Sequence, residues 1–283
     1  MKTHPSTVVS PLAKIGCDVA IGPFCVIEPE VEIGDGCTLE SHVVIKNGTT
    51  LGPNNRVFEG AVLGGPAQHV HMPERSGRVF IGAGNVIREF VTIHRALEED
   101  DVTIVGDNNL LMANVHIAHD CRIGDNAIFT NGAMLAGHVI VEDRAYLSGT
   151  VGVHQFCRIG TLAMVGGHAR INKDVPPFVT IDGGTTAVVG LNQIGLRRAG
   201  YSSQDMEQLK SAYRLIFRAG LMWTEMLKQL QLEFPAGPAA RFYQFLSATT
   251  RGILPERRLP PGATIKLRRD VDEPVVELRA KAC

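Results

Sequence analysis

The chain places an apolar residue at every sixth position from Val9 to Ile171, with three polar exceptions. A period of six fits neither the roughly 3.6-residue turn of an α-helix nor the two-residue alternation of an ordinary strand. It is typical of hexapeptide repeats, in which three six-residue segments form one triangular coil of a parallel β-helix. Residues eighteen positions apart should therefore stack in adjacent coils, about 4.8 Å apart. The polar exceptions are His69, Arg75 and Glu99.

Glycine often follows the repeated apolar residue directly, as at Gly16, Gly34 and Gly52. Glycine adopts positive φ at little steric cost, and tight turns often require positive φ. We therefore expect these glycines to form the sharp turns between short strands.

Two polar segments interrupt the repeat without changing its phase. The first covers residues 64–79 and is rich in Gly and Pro, and the second covers residues 95–101 and is acidic. Loops on a rigid scaffold often carry binding residues, although a plain solvated excursion is the default for any one loop. The sequence predicts a β-helix domain over residues 1–186 with two external loops.

The repeat ends near Asp174–Phe178, where two consecutive prolines cannot donate hydrogen bonds to a sheet. Helical spacing follows. Ser202 and Asp205 form a capping-box pattern at the start of a first amphipathic helix. A second helix is predicted over residues 224–233, and a third should begin around Pro238.

A β-helix leaves unpaired strand edges at its ends, so a cap is physically required. We expect residues 187–256 to form this α-helical C-terminal domain. Residues 257–283 mix charges with prolines and show no period, so they are predicted to be a disordered or loosely docked tail.

Composition excludes several classes of protein. The chain has 28 Lys and Arg against 29 Asp and Glu, so nothing indicates binding to nucleic acid. No apolar stretch is long enough to span a membrane, and the first residues lack the apolar core of a secretory signal. The six cysteines form no CxxC pair and suit small buried positions in a reducing compartment. We expect a cytoplasmic protein without stable membrane insertion.

Three polar segments on successive coils carry the candidate chemistry. They are NVHIAHDC (Asn114–Cys121), MLAGHV (Met134–Val139) and GVHQFC (Gly152–Cys157). Because His119, Gly137 and Gln155 are spaced by eighteen residues, they should form one column along an edge of the β-helix. His138 should then stack over Asp120.

Acyl transfer to a hydroxyl requires groups of the types found in this column. A histidine with a pKa near ~6.5 can accept a proton, a carboxylate can orient that histidine, and a backbone N–H can stabilise an oxyanion. A single histidine on a β-helix wall is more often a half-exposed filler, but clustering of such groups favours function. The filler interpretation applies to His42, His94 and His168.

Together with MVGG, DVPPF and the TTRG segment near Thr250, these segments resemble the bacterial UDP-N-acetylglucosamine O-acyltransferases, which catalyse the first step of lipid A assembly. The resemblance covers about residues 5 to 255. It implies a homotrimer of left-handed β-helices with active sites between subunits. It also implies transfer of a hydroxyacyl chain from acyl carrier protein to the sugar 3-hydroxyl. No cofactor or metal is implied, because the chain arrives on the phosphopantetheine of the carrier protein.

The resemblance also implies roles for individual residues. It makes His119 the general base and the backbone of Gly137 the oxyanion donor, with Asp120 and His138 in support. It places Gly167 beside the acyl chain. The other residues implied in substrate binding are His69, His71, His116, His154, Gln155, Asn192 and Arg198.

The sequence departs from the family pattern where the acceptor sugar is expected to bind. The family usually has an Asp and a Lys in the first external loop, at the positions of His69 and His71 here. This chain also has Ile194 and Ala199 where the family often has an acidic and a basic residue. The acyl-transfer groups are thus intact, whereas the acceptor contacts are partly changed.

Residues 197–218 have a local excess of positive charge that would attract an acidic carrier protein. The basic residues are Arg197, Arg198, Lys210, Arg214 and Arg218, and the acidic ones are Asp205 and Glu207. An ordinary solvated helix face would explain Lys210 and Arg214 equally well.

Three alternatives stay open on the sequence alone. The first is a related acyltransferase that acts on a different nucleotide sugar, such as an amino sugar. The second is a zinc site of the γ-carbonic-anhydrase kind, since three histidines on adjacent coils can coordinate zinc. The third is a non-catalytic scaffold. The spacing of His119, Asp120 and His138 disfavours an inert wall.

Overall fold

Residues 2–71 and 73–257 are described by the computed structural model. They form a left-handed parallel β-helix followed by α-helices, which confirms the predicted fold class. Three sheets, named A, B and C, run along the prism, and successive strands of the chain join A, B and C in turn, except the last two, which both belong to A. Most strands contain only two residues.

Strands are numbered in chain order. Sheet A contains β1 (Lys2–Thr3), β4 (Ala20–Ile21), β7 (Thr38–Leu39), β10 (Arg56–Val57), β13 (Val86–Ile87), β16 (Leu110–Leu111), β19 (Ile128–Phe129), β22 (Tyr146–Leu147), β25 (Met164–Val165), β27 (Val179–Ile181) and β28 (Val188–Leu191). Sheet B contains β2 (Val8–Val9), β5 (Val26–Ile27), β8 (Val44–Ile45), β11 (Val62–Gly65), β14 (Thr92–His94), β17 (His116–Ile117), β20 (Met134–Leu135), β23 (Gly152–Val153) and β26 (Arg170–Ile171). Sheet C contains β3 (Lys14–Ile15), β6 (Glu32–Ile33), β9 (Thr49–Leu51), β12 (Arg78–Ile81), β15 (Val102–Val105), β18 (Arg122–Ile123), β21 (Ile140–Val141) and β24 (Arg158–Ile159).

The repeated apolar residues form the core of the prism, and Leu39 and Leu111, for example, are fully buried. A second buried column, which the period alone does not predict, lies two residues earlier in each repeat. Many of its members are small, such as Ala61 and Ala133. Small side chains fit there because two sheets converge at each corner of the triangle. Four cysteines of this column are buried and unpaired, as expected of fillers: Cys25, Cys37, Cys121 and Cys157.

Strand pairing confirms that both external loops keep the repeat in phase. Most neighbouring strands pair residues eighteen apart, such as Ile117 and Leu135. Across the first loop Val62 pairs with Thr92, and across the second loop Thr92 pairs with His116. These offsets of thirty and twenty-four residues mean that the loops add whole six-residue units. The apolar positions therefore continue to point into the core.

The glycines that follow the repeated apolar residues do not form the turns, contrary to expectation. Close packing of adjacent coils requires them instead, since a Cβ on Gly16 would lie 2.9 Å from the carbonyl carbon of Gly34. Positive φ occurs two residues further along each coil, as at Asp120 and His138, both with φ of 60°. Among the described glycines that follow a repeated apolar residue, only Gly64 has a positive φ, of 81°, and is also closely packed.

Four helices follow among the described residues: α1 (Gln193–Arg198), α2 (Ser203–Arg218), α3 (Trp223–Glu233) and α4 (Ala240–Ser247). The predicted capping box is present, because the Ser202 side chain accepts from the Asp205 N–H and the Asp205 carboxylate accepts from the Ser202 N–H. The sequence therefore predicts α2, α3 and α4 to within about two residues. It does not predict α1, since six residues are too few to show a helical period.

A buried carboxylate joins the helical part to the last coil. Asp174 is 1% exposed and accepts hydrogen bonds from the Arg158 N–H and the Thr249 hydroxyl. The backbone N–H of Asp174 donates to the Gly252 carbonyl. These bonds fix the segment after α4 against the β-helix.

The predicted tail falls almost wholly on residues 258–283, which lie outside the described part of the chain. None of the described helices is long and apolar enough to cross a membrane.

Candidate active site

His119 and Asp120 form a hydrogen-bonded pair at the turn that follows β17. His119 Nδ1 lies 2.6 Å from Asp120 Oδ2, and both side chains are about nine-tenths buried. Because an ionised carboxylate can only accept, Nδ1 carries the proton and Nε2 is free to accept another. The pair therefore has the tautomer and orientation that a general base requires.

Asp120 is itself held by a neighbouring coil and by the second external loop. Its backbone N–H donates to Thr103 Oγ1 at 2.8 Å. The Leu97 N–H lies 3.3 Å from each of its carboxylate oxygens. The second loop thus supplies a donor to the carboxylate that orients His119. The repeat spacing cannot predict this contact, because Leu97 belongs to an insertion.

Gly137 lies directly beneath the His119 imidazole. A Cβ at this position would be 2.5 Å from His119 Cε1 and 2.7 Å from Nε2, so only glycine leaves room for the ring. Within residues 2–71 and 73–257, the Gly137 N–H has no hydrogen-bond acceptor. A free backbone donor therefore lies next to the imidazole nitrogen that could accept a proton.

His138 occupies the next coil, as its spacing predicts. Its Nε2 lies 3.7 Å from Asp120 Oδ2, and its ring contacts the His119 ring edge-on at 5.2 Å between centroids. On its other side it stacks on Phe156, with centroids 4.6 Å apart and planes 10° apart. Asp120 is consequently flanked by two imidazoles. The stacking partner Phe156 is eighteen residues from His138 and could have been found from the repeat.

The first external loop brings one of its two candidate histidines to His119. The His69 ring lies 5.7 Å from the His119 ring, nearly perpendicular to it. His71 does not share the cleft that His69 and His119 line. Of the two loop histidines implied in substrate binding only His69 lines this cleft, because the loop turns here and the His71 N–H bonds back to His69 Nδ1 at 3.1 Å. Alternation along an extended chain does not apply to such a turn.

A cleft of about 510 Å³ opens along sheet B in front of these groups. Half of the predicted site residues line it. They are His69, His116, His119, Gly137, His154 and Gln155, and Gln68, Met134, Gly152 and Arg170 contribute as well. Asp120 and His138 do not line the cleft, but both contact His119, which does.

His116 differs from His119 in its environment. Burial lowers the pKa of His116 to about 4, and its Nδ1 lies 2.8 Å from Thr92 Oγ1. His116 is therefore uncharged at neutral pH. It can serve as a neutral hydrogen-bonding group beside the cleft.

Asn192 and Arg198 lie in a different cleft, of about 930 Å³, between sheet A and α1. Arg144, Tyr146 and Arg197 also line it. Asn192 caps α1, because its Oδ1 accepts from the Gly195 N–H at 3.0 Å. Within one chain these predicted nucleotide contacts are thus separate from the His119 cleft.

Gly167 lines neither of these two clefts, but it has open space around it. A Cβ there would find its nearest neighbour, the Gly149 carbonyl oxygen, at 3.4 Å, which is an ordinary contact. A larger side chain could therefore extend from this position without displacing the backbone.

His119, Asp120 and His138 could also hold a metal ion, since one ligand atom from each lies within 4.8 Å of the others. A zinc ion would need its ligands about 2.0–2.2 Å from the metal and a fourth ligand in tetrahedral geometry. A proton bridges His119 and Asp120 equally well. The geometry alone therefore fits both a hydrogen-bonded dyad and a metal site.

Comparison with known proteins identifies the family to which the chain belongs. Residues 174–254 match the family model described as UDP-N-acetylglucosamine O-acyltransferase, domain 2, and residues 12–47 and 103–137 match bacterial transferase hexapeptide repeats. An acyl-[acyl-carrier-protein]–UDP-N-acetylglucosamine O-acyltransferase from Janthinobacterium sp. is 46% identical over 257 residues, which are 89% of this chain and 98% of that protein. The protein of the same name from Gloeothece citriformis is 50% identical over 177 residues, or 62% of this chain and 64% of the relative.

A solved structure agrees with these matches. The UDP-N-acetylglucosamine acyltransferase of Bacteroides fragilis superposes with a TM-score of 0.85 at 39% identity, covering 89% of this chain and 99% of the other. The similarity therefore extends through the β-helix, both external loops and the helices. The chain belongs to the family of UDP-N-acetylglucosamine O-acyltransferases.

Proposed function

We propose that this protein transfers an acyl chain from acyl carrier protein to the 3-hydroxyl of UDP-N-acetylglucosamine, with His119 as the general base. The observation that carries this proposal is the bond of His119 Nδ1 to Asp120 beside the N–H of Gly137, which has no acceptor among the described residues. The names of the relatives supply the two substrates. The family resemblance makes this the first step of lipid A biosynthesis.

The proposed reaction uses His119, Gly137 and Asp120, each in a separate role. His119 Nε2 accepts the proton of the 3-hydroxyl while the hydroxyl oxygen attacks the thioester carbonyl carbon. The Gly137 N–H stabilises the oxyanion of the tetrahedral intermediate. As the C–S bond breaks, His119 returns the proton to the phosphopantetheine sulfur. Asp120 stabilises the imidazolium between these two transfers. No metal or organic cofactor takes part.

A homotrimer would bring together the two clefts that are separate in one chain. The turns between sheets A and B expose large apolar side chains, with Phe24 58% and Phe90 61% exposed. Sheet C instead carries outward charges, including the ion pair of Lys14 with Glu32. Exposed apolar surface of this kind marks interaction sites. Sheet A of one subunit would then face sheet B of the next.

In such a trimer Asn192 and Arg198 of one subunit would lie across from His119 of its neighbour. Arg197 and Arg198 end α1 beside the larger cleft, where their charge would attract the acidic carrier protein and the phosphates of the nucleotide. Light scattering should give the mass of a trimer. A monomer that retains full activity would contradict the shared site.

The acceptor could instead be a related nucleotide sugar, and the position of His69 favours testing it. An imidazole next to His119 lacks the fixed negative charge of the Asp that the family usually has there. A mass-spectrometric assay of acyl transfer, with several acyl carrier proteins and a panel of nucleotide sugars, distinguishes the acceptors. Product from UDP-N-acetylglucosamine alone supports the main proposal. The cytoplasmic location stays a prediction.

A further inference from the structure

His94 is buried beneath the start of the first external loop. It ends β14 and is 8% exposed, so the half-exposed position expected from its sequence context is wrong. Its Nδ1 lies 2.6 Å from the carbonyl oxygen of Pro66. Because a carbonyl oxygen can only accept, His94 Nδ1 donates this bond. The imidazole therefore has a partner in the loop.

The chain leaves sheet B irregularly at this point. The pairing of β11 with β14 shifts register between Leu63 and Gly65, and Gly65 lies opposite His94. The Arg95 N–H donates to the Gly65 carbonyl at 2.8 Å. A Cβ on Gly65 would lie 3.5 Å from the His94 ring, so the start of the loop rests on the imidazole. His94 thus determines where the loop departs.

His116 supports His94 from the adjacent coil. The two rings meet edge to face with centroids 5.0 Å apart. Burial lowers the pKa of both imidazoles, so both are uncharged at neutral pH. Two uncharged rings can pack in this way without charge repulsion. The pair of rings forms a rigid support beneath the loop.

Only a few residues of the loop separate this support from the cleft of His119. Gln68 and His69 follow Pro66 closely and line the cleft of His119. Because only two residues separate Pro66 from His69, the position of Pro66 influences that of the His69 ring, which lies 5.7 Å from the ring of His119.

We propose that His94 is a positioning residue, which holds Pro66 so that Gln68 and His69 face the acceptor sugar beside His119. This inference rests on the proposed function, since it requires the acceptor to bind beneath the first loop. His94 does not touch the reacting atoms. Its loss should weaken acceptor binding and leave proton transfer by His119 largely intact.

Two amide substitutions separate hydrogen bonding from packing at this position. In His94→Asn the side-chain amide nitrogen can take the place of Nδ1, whereas in His94→Gln it lies nearer the place of Nε2. Hydrogen exchange of the amides of residues 67–71 and steady-state kinetics with the nucleotide sugar are measured on the full-length protein. Lys14→Gln serves as the control, since Lys14 is exposed on sheet C, away from the proposed subunit contacts.

We expect His94→Gln to speed exchange in the loop about tenfold and to raise KM for the nucleotide sugar about five- to tenfold, with kcat within about threefold. His94→Asn should restore both values to near those of the parent. In a His69→Ala background, His94→Gln should raise KM much less, because the group that it positions is gone.

Unchanged loop exchange in His94→Gln would overturn the proposal. Equal impairment in His94→Asn and His94→Gln would also overturn it, since packing and not the donor would then be responsible. Faster loop exchange with an unchanged KM would support the positioning of the loop and refute the acceptor role given to the loop under the proposed function. If His94→Gln does not accumulate as folded protein, His94→Ser replaces it in the same comparison.

Discussion

The edge that carries His119 and Gly137, the proposed catalytic edge, borders one cleft together with the first external loop, but the two are built by different means. At the edge, His119, Gly137 and His138 come from adjacent coils, and the backbone repeat places them. The loop depends on single contacts instead, such as the bond of His94 to Pro66 and the bond of the His71 N–H to His69.

This difference determines what each part can change. A substitution at Gly137 meets the His119 ring at once, because the coils are packed at fixed distances. A substitution at His69 changes one exposed side chain and leaves the repeat intact. We infer that the edge fixes the type of reaction, whereas the loop adjusts the acceptor. The following substitutions test this division.

Replacing His119 by Ala should have the largest effect, because it removes the proposed base. We expect acyl transfer to fall about 10²–10⁴-fold or more, with little change in the melting temperature. The same substitution at exposed His168, which bonds to Thr150 on another edge, is the control and should retain activity. Activity of His119→Ala within a few-fold of the parent would contradict the assignment of the base.

Gly137→Ala tests whether the repeat backbone sets the position of the base. The added methyl group would lie 2.5 Å from His119 Cε1, so the ring must move. We expect kcat to fall about 10–100-fold, because a displacement of about 1 Å can cost that much. The matched control is Gly149→Ala, where the nearest atom would be 3.5 Å away. Equal kcat values for the two variants would show that the imidazole does not need this close contact.

The sequence predicts the catalytic edge well because a strict repeat converts spacing into contact. The spacing of eighteen residues correctly places Gly137 beside His119, and His138 beside Asp120. Each of these inferences requires only the period, without knowledge of any loop conformation.

Contacts of the insertions could not be predicted in this way. Leu97 and Pro66 lie outside the repeat, so no spacing relates them to Asp120 or His94. The position of His71 outside the cleft could not be predicted for the same reason, since a local turn between His69 and His71 determines it. The glycines that follow the repeated apolar residues were also beyond the period. A period locates such a glycine but does not show whether a positive φ or close packing requires it.

Acid should destabilise the fold through the buried imidazoles on which the loop rests. The pKa of His116 is lowered to about 4 by burial, while an unfolded histidine titrates near ~6.5. Between these values the unfolded chain binds more protons, so stability falls as the pH decreases through this range. The contribution is about 2–3 kcal/mol per chain. The free energy of unfolding is measured with urea for the parent and for His116→Gln, at about pH 7 and about pH 4.5. The loss of this free energy at the lower pH should be smaller in the variant. An equal loss in both proteins would show that His116 is accessible to protons when folded.

Changing the loop histidines to the family's usual pair should alter acceptor binding more than turnover. We expect His69→Asp with His71→Lys to change KM for the nucleotide sugar, or the preferred sugar, by about tenfold. His69→Asp alone should account for most of the change, because only His69 lines the cleft, and His71→Lys alone is the control. If the double variant retains the acceptor profile of the parent, the loop is a solvated excursion and does not select the acceptor.

Gly167→Met should have the smallest effect on rate and should change only which acyl chain is preferred. Gly167 follows β25, and the nearest atom to a Cβ there is 3.4 Å away, so a methionine can extend from the wall without moving the backbone. If the acyl chain passes this position, the added side chain fills part of its groove. We expect the preferred chain to shorten by about two to four carbons, with turnover of the best chain within about tenfold of the parent.

Gly184→Met, at an exposed turn with similar free space, is the matched control and should leave the chain-length profile unchanged. An identical profile for Gly167→Met would place the acyl chain elsewhere. A shortened chain with an unaltered acceptor preference would instead show that the β-helix wall determines chain length independently of the loop.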